Sequence, residues 1–322
     1  MQSTAIIIPS KNRLNYCLAQ IKYYSEANFS GTLVIVDSSS KSKFSELQKN
    51  AKKIGLINLK LYNRPLLSTH QAIAFGLKQI RNSCDYFVFS GDDDFFVVDG
   101  IEKAARFLDS HHDFVGVVGK AIIAKHINYE DEIRIGRVWT YWRPKDISDG
   151  NNLTRVRAIS NNYLNLEFAV KRVSACIDSL NLLNQIFGKV KFEDSTDLEI
   201  CSTFSIAFAG KIKYLRTPFL IRGDHNARPN LIKKSKEAFP TGKRKHHFAL
   251  YMATVLNQHV KCPESCGGDL INEYFIKTNR KKQKNKKMIM PYYYFYRRVF
   301  RKLSGIFLRN YYKKYFELFA RL

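Results

Sequence analysis

The chain has 322 residues, 45% of them hydrophobic, and 53 Lys and Arg against 28 Asp and Glu give it a formal net charge of +25. That length supports one large domain, or a main domain with appendages, with ample core. The charge excess points to an anionic partner, either a phospholipid surface or nucleic acid. Six cysteines (Cys17, Cys84, Cys176, Cys201, Cys262, Cys266) are dispersed over this length rather than set in a dense framework, as in a reduced, cytosolic protein. No stretch approaches the roughly 18 consecutive apolar residues of a membrane span, and the short apolar run before Pro9 is no secretory leader.

Thr4 to Ile8 and Leu33 to Val36 are short β-branched runs ending in polar clusters, the pattern of buried parallel strands. Between them Leu14 to Ala27 has helical spacing, with Leu14, Leu18, Ile21 and Tyr24 on one face. A third strand is predicted over Ile57 to Tyr62, a helix over His70 to Asn82, and a fourth strand over Tyr86 to Phe89. Ile101 to Leu108 reads as a helix and Phe114 to Val118 as a strand. From Lys125 to Asn165 the pattern loosens into a loop-rich insertion containing Trp139, Tyr141 and Trp142. Glu167 to Ala169 is expected to close the sheet. Ser174 to Phe187 and Leu198 to Ala209 read as helices, the second stopped by Gly210. Ile212 to Leu215 and Pro218 to Ile221 are short extended pieces. Strands alternating with helices predict an α/β open sheet, mixed but mostly parallel and flanked by helices, with ligands at the carboxyl ends of the strands.

The most informative motif lies on that rim. Asp92-Asp93-Asp94 follows the apolar run of the fourth strand after Ser90-Gly91, and adjacent carboxylates repel one another unless a cation sits among them. Oxygen-only ligands of this kind suit Mg²⁺ or Mn²⁺ holding a substrate diphosphate. An acidic surface turn is the alternative for the tripeptide alone. A turn cap is the alternative for Asp37, which ends the second strand before Ser38-Ser39-Ser40.

Taken together, Ile6-Ile7-Ile8-Pro9-Ser10-Lys11-Asn12-Arg13, the strand ending at Asp37, and Ser90-Gly91-Asp92-Asp93-Asp94-Phe95-Phe96 resemble the family-2-type glycosyltransferases of GT-A fold. The resemblance spans roughly residues 4 to 222. It implies that Pro9, Asn12, Arg13, Asp37 and Asp92 bind a nucleotide-sugar donor and that Asp92 and Asp94 hold the metal and diphosphate. It also implies an inverting reaction with a carboxylate base just before a helix. Here Glu193-Asp194-Ser195-Thr196-Asp197 precedes such a helix, and spacing to Gly210 favours Asp197, with Asp194 close behind. Helix N-capping is the competing role for these acids. Arg222 and His225 resemble basic residues that contact the leaving phosphates. The Gln-x-x-Arg-Trp motif of processive synthases is absent, which argues for transfer of a single sugar.

The expected organisation is a GT-A domain over residues 1–228, a helical continuation over 229–276, and a basic, aromatic, amphipathic tail over 277–322. That tail holds 15 Lys or Arg and one acid, Glu317. Tyr296, Phe300, Leu303, Phe307, Tyr311 and Tyr315 recur at helical steps within it. It suits attachment to an anionic membrane surface, hence a cytoplasmic protein peripheral on the inner face of the membrane, and an acceptor glycan carried on a polyprenyl lipid. Bacterial surface-polysaccharide assembly is what the resemblance implies. Two other functions compete. A nucleic-acid-binding protein would use the tail on phosphates and bases but leaves the aspartates without a role, so nucleic acid is not the expected partner. A sugar nucleotidyltransferase would need a glycine-rich N-terminal loop, and Pro9 to Arg13 contains no glycine. Cys262-x₃-Cys266 matches no second pair and is a weak zinc motif.

Overall fold

Alternation within the first apolar runs decides where the core lies. In the computed structural model, which describes residues 3–126, 135–140, 145–161, 164–177 and 195–224, strand β1 (Thr4–Ser10) buries six of its seven residues. Ala5 and Ile7 enter one hydrophobic cluster while Ile6 and Ile8 enter another, on the opposite face. Strand β2 (Thr32–Asp37) divides its side chains likewise, Val34 and Val36 against Leu33 and Ile35. A strand covered on both faces must be apolar at every position, which explains uninterrupted runs where a half-exposed strand would alternate.

Helices α1 (Leu14–Glu26) and α2 (Lys41–Ile54) cover one face, joined there by α4 (Val98–Ser110). Helices α3 (Thr69–Ile80), α5 (Asn152–Asn161) and α6 (Ser195–Ala209) cover the other. The remaining strands are β3 (Leu59–Asn63), β4 (Tyr86–Phe89), β5 (Asp94–Phe96), β6 (Phe114–His126), β7 (Ile135–Thr140), β8 (Val170–Arg172) and β9 (Lys211–Asp224). All nine form one sheet in the order β3-β2-β1-β4-β8-β6-β9-β5, with β7 paired to β6. Strands β3, β2, β1 and β4 are parallel, as are β6 and β9. Strand β8 runs antiparallel to both of its neighbours, and β5 runs antiparallel to β9.

The structure departs from the sequence-based expectation at several points. Helix α2 was not predicted, because only Phe44, Leu47 and Ala51 of its fourteen residues are buried and the apolar stripe is narrow. It ends at Gly55, whose φ of +77° supplies a left-handed cap. The buried stripe of α1 is Cys17, Gln20, Ile21, Tyr23 and Tyr24, rotated from the predicted face, with Leu14 and Leu18 only partly buried. The supposed insertion over 125–165 contains strand β7 and helix α5. Glu167 and Phe168 form a turn, and the sheet is closed by Val170 to Arg172 instead. The two extended pieces after Gly210 are one long strand, whose pairing with β6 shifts register around Pro218, a residue with no amide hydrogen to give.

Buried Arg155 fastens α6. Its guanidinium donates to the main-chain oxygens of Ala207 and Phe208 at 2.8 Å each, where the helix ends, and to Asp149 and Gly150 at 2.8 and 3.0 Å. The Ala207 and Phe208 oxygens are carbonyls that a helix C-terminus otherwise leaves unpaired. Residues from 225 onward, which take in His225, the 229–276 part, Cys262, Cys266 and the 277–322 tail, lie outside the described residues, as do Tyr141, Trp142 and Asp194.

Candidate active site

Two loops at the C-terminal ends of β1 and β2 are tied together by one serine. Ser39 Oγ donates to Asp37 Oδ1 at 2.6 Å and accepts the main-chain N–H of Asn12 at 2.7 Å. The Ser39 N–H also reaches Asp37 Oδ1, at 3.2 Å. Asn12 adopts φ +58°, a left-handed conformation that asparagine tolerates better than most residues. Its side-chain oxygen accepts from Lys43 Nζ at 3.2 Å, which joins α2 to the same loop. The result is a pocket of about 130 Å³ lined by Asn12, Arg13, Asp37, Ser39, Lys43 and Glu46 over an apolar base of Leu14, Cys17 and Leu47. Burial, opposed by a hydrogen bond from Ser10, pushes the Cys17 thiol up to about 12, so it stays protonated. Pro9 is half-buried within β1, opposite Val36.

Strand β4 lies beside β1 and delivers the three aspartates next to this pocket. Asp92 Oδ1 lies 2.8 Å from Arg13 Nη1, and its Oδ2 accepts from Ser10 Oγ at 3.0 Å. Asp93 Oδ2 lies 3.6 Å from Arg13 Nη2. The Arg13 guanidinium also sits 3.8 Å from the centre of the Tyr16 ring. Burial works to lower the pKa of Arg13, but Asp92 and Asp93 outweigh it and the net shift is upward. Asp94 is 2% exposed. Its Oδ1 accepts the Gly223 N–H at 3.2 Å, and its Oδ2 lies 3.6 Å from Arg222 Nε. The Arg222 guanidinium stands 5.0 Å from the centre of the Phe168 ring.

The backbone of this acidic turn is held from below by α1. The buried Gln20 amide donates to the main-chain oxygens of Asp92 at 3.0 Å and Asp94 at 2.7 Å, while Ser90 Oγ donates to Asp94 at 2.8 Å. Tyr23 Oη donates to the Phe96 oxygen at 3.1 Å, and Tyr24 Oη accepts the Phe96 N–H at 3.0 Å. Strand β5 pairs with β9 along one edge, and side chains of α1 serve its other edge.

A side chain at Gly91 would intrude among the carboxylates: a Cβ there would stand 2.9 Å from Asp93 Oδ1 and 3.3 Å from Asp94 Oδ2. Glycine therefore leaves a small space bordered by two carboxylate oxygens, a donor set that fits Mg²⁺ or Mn²⁺. Among the described residues no three His, Cys, Asp or Glu side chains gather as a protein-only metal cage, so a cation here would need substrate oxygens to complete its shell.

Of the residues singled out in the sequence, Pro9, Asn12, Arg13, Asp37, Asp92, Asp94 and Arg222 come together along one rim. Asp197 belongs to the first turn of α6, which runs toward Gly210 and the start of β9 and so begins on the same side of the sheet. Ser10 and Asp93 stand inside the quoted motifs but were given no role of their own, and Gln20, Lys43 and Phe168 were not anticipated. Gln20 had a signal, a polar residue inside an otherwise apolar helical stripe. Phe168 had none, because it is brought to the aspartates only by β8.

No protein-family model matches the chain, and no curated protein matches it. Among solved structures it resembles residues 1–349 of S. aureus TarS in complex with UDP-GlcNAc, with a TM-score of 0.51 and 15% identity over 85% of this chain and 71% of that one. Two further TarS structures, of residues 1–349 and of the same span in complex with UDP, give TM-scores of 0.49 and 0.42 at 14% and 15% identity. They cover 85% and 82% of this chain, and 70% and 73% of theirs. The likeness is one of fold: this chain has a mixed, mostly parallel sheet flanked by helices, of the GT-A, Rossmann-like kind.

Proposed function

We propose that the chain is an inverting glycosyltransferase that moves one sugar from a nucleotide-sugar donor to an acceptor hydroxyl. The observation that carries this is a pocket lined by Asp37 and Arg13 at the carboxyl ends of β1 and β2, with Asp92 and Asp93 paired to that same Arg13 and Asp94 next to them after β4. In open α/β sheets this rim is where ligands bind. The pocket beside Asp37 takes the nucleoside, with the carboxylate accepting hydrogen bonds from base or ribose. Arg13 and Arg222 flank the aspartates and offer guanidinium groups to the diphosphate. His225, three residues beyond Arg222 in sequence, is a further candidate for the same phosphates. A likeness to a protein seen with UDP-GlcNAc makes a uridine nucleotide sugar the first donor to try.

Chemically, the acceptor oxygen bonds to the anomeric carbon as the bond from that carbon to the diphosphate oxygen breaks, and the nucleoside diphosphate leaves with the electron pair. The acceptor proton passes to a carboxylate, with Asp197 preferred and Asp194 next. Mg²⁺ or Mn²⁺ at Asp94 and its neighbouring aspartates would offset the charge developing on the leaving diphosphate. The aspartates already stand beside two arginines, so the chain supplies part of that offset itself. We extend the proposal to a lipid-carried glycan acceptor and to docking of the 277–322 tail on anionic membrane, which the tail's 15 basic residues support. No helix among the described residues is long and apolar enough to cross a membrane.

The test is binding and slow hydrolysis of UDP-, GDP-, dTDP- and CMP-sugars with and without Mn²⁺, for the intact chain and for an Asp92→Asn, Asp94→Asn double variant. Metal-dependent turnover of one donor, lost in the variant, is the expected result. No binding of any donor, together with tight RNA binding, would overturn the proposal.

A further inference from the structure

Strand β8 reverses direction between β4 and β6, and its register pairs Phe87 with Lys171 and Tyr86 with Arg172. The residues just before β8 therefore lie beyond the end of β4, on the same rim as the aspartates. Glu167 is there. The next residue, Phe168, stacks on Phe89 with ring centres 5.8 Å apart and carries the Arg222 guanidinium that pairs with Asp94.

The turn that presents Glu167 is fixed at several points. Lys171, 3% exposed, donates from Nζ to the main-chain oxygens of Glu167 at 2.6 Å and Leu166 at 3.4 Å. Its burial lowers its pKa, against the opposing pull of Cys176 and Glu167. An ammonium placed so deep is costly unless hydrogen-bonded, and the bonds it makes among the described residues go to this turn. Asn165 Oδ1 accepts the Glu167 N–H at 2.8 Å, and Thr203 of α6 accepts the Leu166 N–H at 3.2 Å. Such anchoring is what a preorganised binding group requires.

The side chain itself is under-used. Glu167 Oε1 lies 3.5 Å from His70 Nε2, on the first turn of α3, and the two side chains are 12% and 19% exposed. A carboxylate has about four acceptor positions, and among the described residues Oε2 has no partner. A ligand hydroxyl would complete it.

We propose that Glu167, with His70 beside it, binds a hydroxyl of the sugar being transferred. The proposal rests on the nucleotide-sugar function argued above and extends it. Across the rim the order is Asp37 at the end of β2, Ser10 at the end of β1 with Arg13 just after it, Asp92 to Asp94 after β4, and Glu167 before β8. A donor laid along that order puts its nucleoside at Asp37 and its diphosphate at the aspartates and arginines. Its sugar then reaches Glu167.

The experiment compares titration of the full chain with UDP and UDP-GlcNAc, and with the GDP, dTDP and CMP nucleotides and their sugars, for wild type, Glu167→Gln and Glu167→Ala. Both variants are first checked for thermal unfolding like that of wild type. Loss of a hydrogen bond to a carboxylate weakens binding about tenfold or more. The expected result is therefore that loss for the nucleotide sugar, larger in Glu167→Ala, with the free nucleotide bound within twofold of wild type. An unchanged ratio of the two affinities overturns the proposal. If Glu167→Ala does not fold, the nearly isosteric Glu167→Gln decides alone. A wild-type chain that binds no nucleotide in the panel overturns the transferase reading and this subsite with it, and that outcome is visible before any variant is made.

Discussion

Gln20 holds Asp94 through its backbone: the buried side-chain amide on α1 donates to the Asp94 main-chain oxygen at 2.7 Å, leaving the carboxylate to face Gly223 and Arg222. The same amide nitrogen reaches the Asp92 oxygen, while Gln20 Oε1 is buried with no partner among the described residues. One side chain thus sets the shape of the acidic turn without touching a carboxylate.

Replacing Gln20 with Leu removes both donors and leaves two buried carbonyls less satisfied. The expected cost is about 1–3 kcal/mol in urea unfolding. If Gln20 shapes the site, Mn²⁺-dependent donor affinity falls too, even in conditions where the variant is fully folded. A variant with wild-type donor affinity would confine Gln20 to stability.

Arg13 bridges Asp92 and Asp93 with two different nitrogens, at 2.8 and 3.6 Å, while its plane rests on Tyr16. A lysine is a point charge and cannot reproduce that fork. Arg13→Lys should therefore recover little of the donor affinity lost in Arg13→Ala, a loss expected to be about tenfold or more. Near-complete rescue by lysine, read by titration, would reduce the role of Arg13 to charge alone.

Alkaline pH should destabilise this fold early. Burial pushes the Cys17 thiol to about 12 and that of Cys176 to about 11, both from 9.0. Burial, with the hydrogen bond to Asp109 next, pushes the Tyr86 hydroxyl from 10.0 to about 12. In each case the folded form keeps a proton that the unfolded chain loses first. The associated stability is therefore complete below pH 9 and lost as pH rises through 9 to 12, with a slope near 1.4 kcal/mol per pH unit for each of the two buried thiols in its window. Urea midpoints measured from pH 7 to 11 should fall above pH 9. Cys17→Ser with Cys176→Ala should shift the onset upward.

Arg155→Leu should cost at least about 1–3 kcal/mol, because four main-chain oxygens lose a buried charged donor at once. Since α6 carries Asp197 on its first turn, transfer activity should fall along with the unfolding midpoint. A variant as stable as wild type would show that the helix end is satisfied in another way.

Much of the fold was readable in advance because two-sided burial forces runs such as Ala5 to Ile8 and Leu33 to Val36 to be apolar throughout. The aspartates were readable because they follow such a run after only Ser90 and Gly91. Helix α2 was hidden by a stripe of only three buried residues, and the continuity of β9 by Pro218 in its middle. Strand β8 is three residues long, too short for any periodicity to show.

Sequence alone determined the α/β class, the rim on which Asp37 and Asp92 to Asp94 stand, and the concentration of positive charge in the last 46 residues, since these depend on local pattern and composition. Only tertiary structure decided which groups meet there. Arg13 on Asp92, Arg222 on Asp94, Gln20 beneath the turn and Glu167 beside His70 are contacts across 79, 128, 72 to 74 and 97 residues respectively. No local pattern encodes such pairs, because they exist only once strand order and register have brought the rim together.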